Sequence, residues 1–182
     1  MSQYHLIQPA EALARLAGFS TVIDVRSPAE FAEDHLPGAV NWPVLDNDER
    51  RIVGTLYKQD PLQARRLGAA LVARNVARLL DERTADLPKQ WRPLVYCWRG
   101  GQRSLSLHWF LGQIGFRSRQ LVGGYKAYRE LVRLGEGLGE PVEDRCHAQR
   151  SDAGRLPEDR VQTPPGQHLH REVHEPIGRL VE

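Results

Sequence analysis

The run Pro93-Leu94-Val95-Tyr96-Cys97-Trp98-Arg99-Gly100-Gly101-Gln102-Arg103-Ser104 joins a short apolar stretch to a segment whose apolar residues recur at helical spacing. An apolar run, a glycine-rich turn and an amphipathic segment in that order read as strand, loop and helix. Cys97 then sits where the strand ends. A thiolate in that seat meets free backbone N–H groups and the positive end of the following helix. Arg99 and Arg103 add positive charge, and Gly100 and Gly101 let successive N–H groups face one concavity. Cys97 is the expected nucleophile, and Trp98, Arg99, Gly100, Gly101, Gln102 and Arg103 are the expected cradle for an anion held against it. A cysteine packed as a small buried hydrophobe is the competing reading. Packing alone gives no reason for the Gly-Gly-x-Arg continuation.

Working outward, the same alternation repeats along the chain. Pro9 opens a short helix that Gly18 closes, and Thr21-Val22-Ile23-Asp24-Val25 reads as a buried parallel strand. Ser27-Pro28 with Glu30 forms a capping-box pattern for a helical turn, and Leu36–Asn41 is a turn entering another strand. Residues 47–59 are polar and carry no clear pattern. Ala64–Leu80 is an amphipathic helix, followed by strands at 94–96 and 119–122 and helices over about 104–114 and 124–134. Alternating strands and helices predict an α/β fold, a parallel sheet with helices on both faces and ligands at the carboxyl ends of the strands.

At 182 residues the chain fits one domain of ordinary size plus an extension. All thirteen aromatic residues precede residue 130, so the core is expected within 1–140. Residues 141–182 hold five of the twelve prolines and four of the seven histidines, with no apolar periodicity, and are expected to form a poorly structured tail. The two parts carry net charges of +4 and −2. A mildly basic domain is compatible with an anionic ligand or nucleic acid and demonstrates neither. Met1–Leu6 lacks the basic start and apolar run of a signal peptide, and no stretch is apolar enough to span a bilayer. A cytoplasmic protein with no membrane partner is expected.

Other groups compete with blander readings. Asp24 and Arg26 flank a strand end, and read equally as support for the cysteine loop or as a local ion pair. His35 suits a structural hydrogen bond at its turn better than a base. Asn47-Asp48-Glu49-Arg50 offers two carboxylates that read as solvated charges. Tyr57-Lys58-Gln59 and Tyr125-Lys126-Ala127-Tyr128-Arg129 suit phosphates or bases. Cys146 and the tail histidines have no metal-ligand spacing, so no metal is expected.

Asp24-Val25-Arg26-Ser27-Pro28-Ala29-Glu30-Phe31, then His35-Leu36-Pro37-Gly38-Ala39-Val40-Asn41, then the Cys97 loop, resemble in order and spacing the rhodanese family of sulfurtransferases. The resemblance implies that Cys97 accepts a sulfur atom as a persulfide and passes it on. Asn47–Arg50, Val53-Gly54-Thr55, Tyr57-Lys58-Gln59, Arg99–Ser104 and Gly123-Gly124-Tyr125-Lys126-Ala127 resemble more particularly the rhodanese domain of bacterial tRNA 2-selenouridine synthases, over roughly residues 5–134. That family implies tRNA as partner, selenophosphate as selenium donor, a Cys97 perselenide that attacks C2 of a wobble 2-thiouridine, and geranyl diphosphate as a further substrate of the full-length enzyme. No bound cofactor is implied.

The family's second domain opens with a G-x-x-x-x-G-K-[ST] loop, which does not occur here, and no lysine follows Lys126. The tail is therefore expected to be an out-of-frame or truncated remnant, with geranyl transfer and much of the tRNA grip lost. Arg103 follows Cys97 by six residues, the Cys-x5-Arg spacing of cysteine phosphatases. Three alternatives stand beside selenium transfer: a freestanding thiosulfate-type sulfurtransferase, a phosphatase using Asp24, Asp48 or Glu49 as acid, and an inactive anion-binding remnant.

Overall fold

The computed structural model describes residues 5–135. Five strands, β1 (Leu6–Ile7), β2 (Thr21–Asp24), β3 (Ala39–Asn41), β4 (Pro93–Tyr96) and β5 (Arg119–Leu121), form one sheet in the order β1-β5-β4-β2-β3. Every neighbouring pair is parallel, with Ile23 opposite both Val40 and Val95 at the centre. The connections carry α1 (Pro9–Ala14), α2 (Pro28–Glu33), α3 (Asn47–Gln59), α4 (Pro61–Arg83) and α5 (Gln102–Ile114), and α6 (Gly124–Leu134) follows β5. This is the α/β architecture the alternation predicts.

The two-residue period of the strands sorts their side chains into two cores. Ile23, Val25, Val95 and Cys97 pack on one face with Val72, Val76 and Leu79 of α4 and Leu107 and Leu111 of α5. Val22, Leu94 and Tyr96 pack on the other with Ala12 of α1 and Tyr125 of α6. Helices thus cover both faces. The apolar runs in β2 and β4 are continuous because neither face meets water.

Residues 47–59, without pattern in the sequence, are the helix α3. Its start is a capping box: the Asp46 carboxylate accepts from the Glu49 N–H at 2.8 Å, and the Glu49 carboxylate accepts from the Asp46 N–H at 3.0 Å. None of its residues is fully buried, and its half-buried Val53 and Leu56 stand among polar neighbours. Helix α4 begins at Pro61 rather than Ala64, because the Asp60 carboxylate caps it by accepting from the Leu62 and Gln63 N–H groups. The two-residue β1 at the sheet edge was not legible at all. The expected tail, with Cys146 and its histidines, lies outside the described residues.

His108 is buried on α5, its Nδ1 2.7 Å from Ser118 Oγ. Burial first, then the positive potential of His5 and Arg119, pushes this imidazole down to about 4 from an ordinary 6.5. Between those values the unfolded chain binds more protons than the folded one, so stability is full above the upper value and falls as pH drops through the interval. Urea midpoints are expected to decline from pH 7 to pH 4 in the wild type and to decline less in His108→Gln. Equal slopes would assign the acid sensitivity to other groups.

Candidate active site

β4 ends at Tyr96, and α5 starts at Gln102 with Gly101 as its N-cap residue. Cys97 opens the five-residue connection between them. Its side chain is 3 % exposed, and its sulfur accepts from the Gly101 N–H at 3.2 Å and the Ser104 hydroxyl at 3.2 Å. The N–H groups of Trp98, Arg99 and Gly100 have no acceptor among the described residues. Two donors already converge on the sulfur. This is an environment for a thiolate or for an anion bonded to it.

The loop is fixed from two sides. Gln120 of β5 is buried, and its amide donates to Gly100 O at 2.8 Å and to Ser104 Oγ at 2.9 Å. With its oxygen accepting from Gln120, the Ser104 hydroxyl directs its own proton to Cys97 Sγ or to Gly101 O, which it reaches at 3.1 Å. On the other side the first turn of α6 donates to the loop carbonyls, Tyr125 N–H to Cys97 O and Lys126 N–H to Trp98 O, each at 2.9 Å. That approach demands glycine at two places. A Cβ on Gly124 (φ 59°) would overlap the Cys97 carbonyl oxygen, and one on Gly100 (φ 64°) would lie 2.6 Å from Leu121 O.

The residues expected in the cradle divide. Gly101 touches the sulfur directly, while Gly100 supplies the turn. Arg103 pairs with Glu30, its Nη1 2.8 Å from Oε2, and Arg50 approaches the same carboxylate at 3.5 Å. Burial alone pushes the Glu30 carboxyl up, but the hydrogen bond and charge of Arg103, with the Ser27 N–H and Arg50, outweigh it and hold the carboxyl below the usual range. Trp98 packs instead with the opposite core, 5.8 Å from the Tyr125 ring. Arg99 is exposed, and Gln102 and Arg103 border a cavity of about 810 Å³ between α3, α4 and α5. That cavity is walled by Val53, Tyr57, Val72 and Phe110, with Arg50, Arg65 and Arg103 at its border.

Asp24 and Arg26 form a buried pair, Nη2 to Oδ2 at 2.6 Å, and the guanidinium lies 4.1 Å over the Tyr125 ring. The pair is buried rather than at the surface, and Arg26 meets α6 through the Tyr125 ring. Burial alone would lower the Arg26 guanidinium, yet the Asp24 hydrogen bonds and charge raise it overall. His35 stacks on Phe31 with Nδ1 2.9 Å from the Phe31 carbonyl, a structural arrangement. Asp48 and Glu49 belong to the first turn of α3. Ser104, Gln120, Glu30 and Gly124 were not singled out from sequence. A buried glutamine in a three-residue apolar-faced strand was the one available signal among them.

A parallel α/β domain with a buried thiol in the loop at the carboxyl end of its central strand has the architecture of cysteine-dependent group-transfer and hydrolytic folds. Residues 8–131 match the rhodanese-like domain family model, and the chain belongs to that family. It is 41 % identical over 113 residues to tRNA 2-selenouridine synthase of Nitrosomonas europaea, covering 61 % of this chain and 29 % of that protein. The enzyme of that name from Serratia proteamaculans is 41 % identical over 116 residues, covering 61 % and 30 %. The chain thus spans about a third of the length of the curated relatives it matches. The crystal structure of the N-terminal domain of a protein described as ATP/GTP binding, from Clostridium difficile 630, superposes with a TM-score of 0.59 at 34 % identity, covering 70 % of this chain and 98 % of that one.

Gly124→Ala is expected to destabilise the domain by about 1–3 kcal/mol, since the methyl group must displace the Cys97 carbonyl. Gly112→Ala, whose Cβ meets nothing within 4 Å in α5, should be neutral or stabilising. Chemical denaturation of both variants measures this. Equal effects would mean that α6 does not hold the loop closely.

Proposed function

We propose that the chain transfers sulfur or selenium through Cys97 in the modification of a tRNA wobble uridine, converting 2-thiouridine to 2-selenouridine with selenophosphate as donor. The observation that carries this reading is the Cys97 sulfur held by the Gly101 N–H and the Ser104 hydroxyl, each at 3.2 Å, at the carboxyl end of the central strand. Both donors stabilise a negative sulfur and, after transfer, the persulfide or perselenide it carries. The same bond change balances for both donors: the thiolate bonds to the terminal sulfur of thiosulfate or selenium of selenophosphate, the donor's S–S or Se–P bond breaks, and sulfite or, after protonation, phosphite leaves with the electron pair. The relatives named tRNA 2-selenouridine synthase support the tRNA and selenium parts of the reading.

The cavity beside the loop supports a further detail. Its apolar walls and three bordering arginines suit an S-geranyl group on the thiouridine, or geranyl diphosphate itself, with hydrocarbon on Val53, Val72 and Phe110 and negative charge near Arg50, Arg65 and Arg103. The phosphatase reading has less behind it. Its candidate acids are engaged elsewhere: Asp24 with Arg26, Asp48 with Arg51, and Glu49 with the Asp46 N–H and Asn75.

Intact-protein mass spectrometry after incubation with selenophosphate, and separately with thiosulfate, tests the reading. A selenium-sized gain in the wild type, absent in Cys97→Ala, is the expected result. Gain from thiosulfate alone would indicate an ordinary sulfurtransferase. No gain from either, with steady phosphate release from an aryl phosphate, would replace transfer by hydrolysis.

A further inference from the structure

We propose that Lys58 on α3, together with Arg99 in the cysteine loop and Lys126 and Arg129 on α6, forms a binding surface for the phosphates of an RNA whose target base is presented to Cys97. The proposal rests on the tRNA reading above and assigns the residues that grip the backbone. All four cations are exposed. None forms an ion pair among the described residues.

The nearby carboxylates are engaged with other groups. Glu30 holds Arg103 and Arg50, Asp48 holds Arg51, and Glu49 closes the α3 cap and accepts from Asn75 at 2.7 Å. Glu130 shares α6 with Lys126, Arg129 and Arg133, so what remains is an excess of positive charge on two separate elements. On α6, Lys126 is anchored by its N–H to the Trp98 carbonyl, and Arg129, three residues on, shares its helix face. On α3, Lys58 lines a cavity of about 430 Å³ with Thr55, Arg51, Asn47 and Ser27, the last directly following the buried Arg26 at the end of β2. The Cys97 loop adjoins α6 through the backbone bonds and α3 through Arg103, Glu30 and Arg50.

Flanking charge selects a polynucleotide over other polyanions. A nucleotide whose base is turned toward one sulfur atom carries a phosphate on each side, so its chain must leave the site in two directions. Cations on two elements bordering one loop meet that requirement. An acidic peptide has no such fixed spacing of charge about a reacting group.

The test is the salt dependence of binding of the full chain to a tRNA transcript with an unmodified wobble uridine. Neutralised phosphate contacts release counterions, so each lost contact lowers the slope of log K against log salt by about 1. Lys58→Gln, Lys126→Gln and Arg129→Gln are each expected to show that loss, with the thiosulfate adduct on Cys97 unchanged. Arg92→Gln and Arg117→Gln remove equal charge from a cavity lined by Leu6 and Phe19, away from the cysteine loop, and are expected to leave the slope alone. Wild-type binding with no distinction between the two sets would overturn the surface and leave the transfer reading intact. Absence of wild-type binding would overturn the surface and the tRNA reading together, while the Cys97 adduct still decides the chemistry.

Discussion

The buried charge of Arg26 constrains the carboxyl end of the sheet, where the Cys97 loop lies. A guanidinium that is 2 % exposed must find both a counter-charge and partners for its N–H groups, or the domain pays the full desolvation cost. Asp24 supplies the charge from two residues away, accepting from Nε and Nη2, and the Asp34 carbonyl accepts a further bond at 2.6 Å. Tyr125 closes the remaining face with its ring at 4.1 Å, inside the range of a favourable cation–π contact. Asn41 then donates to the Asp24 and Arg26 carbonyls and fastens β3 to the same point. Removing either member of such a pair typically costs about 3–5 kcal/mol, a large share of a domain's margin of about 5–15 kcal/mol.

The consequences of that pair run into the loop. Tyr125, held against the guanidinium, directs its N–H to the Cys97 carbonyl, and its neighbour does the same for Trp98. The backbone of Cys97 is therefore positioned from one face of the sheet while its side chain packs on the other. Gln120 completes the arrangement from β5 by donating to Gly100 and Ser104. Every part of the loop that touches the sulfur is thus tied to a rigid element. Preorganised donors cost no reorganisation when charge develops on the sulfur.

Sequence made the fold legible wherever local rules and burial agree. β2 and β4 are buried on both faces and so are continuously apolar, and α2 announces itself by Ser27, Pro28 and Glu30. α3 failed for the opposite reason: it buries no residue fully, and the carboxylates of its first turn read as solvated loop charges. The site divided in the same way. Cys97, Gly100 and Gly101 lie within five residues of one another, so the loop between β4 and α5 was plain. Glu30 and Arg103 are 73 residues apart, and a glutamate already explained by its capping box gives no sign of a second bond. Gln120 and Ser104, 16 residues apart, meet only because β5 lies beside β4 in the sheet.

The pairing of Arg103 with Glu30 bears on how an anion enters. An unpaired arginine beside the thiol would draw any anion by long-range attraction, whereas this one presents a charge already half answered. A donor must therefore compete with a carboxylate that is itself held down by Arg103, Ser27 and Arg50, and which cannot leave without unmaking the α2 cap. Exchange of one anion for another is costly unless the newcomer also meets the free N–H groups of the loop. A donor that bonds to the cysteine sulfur while its oxygens reach those N–H groups satisfies both conditions, and an anion that merely neutralises charge satisfies one. On the proposed transfer, selectivity in this loop then arises from the match between backbone donors and the shape of the anion, with Glu30 setting how much charge is left to reward a poor fit.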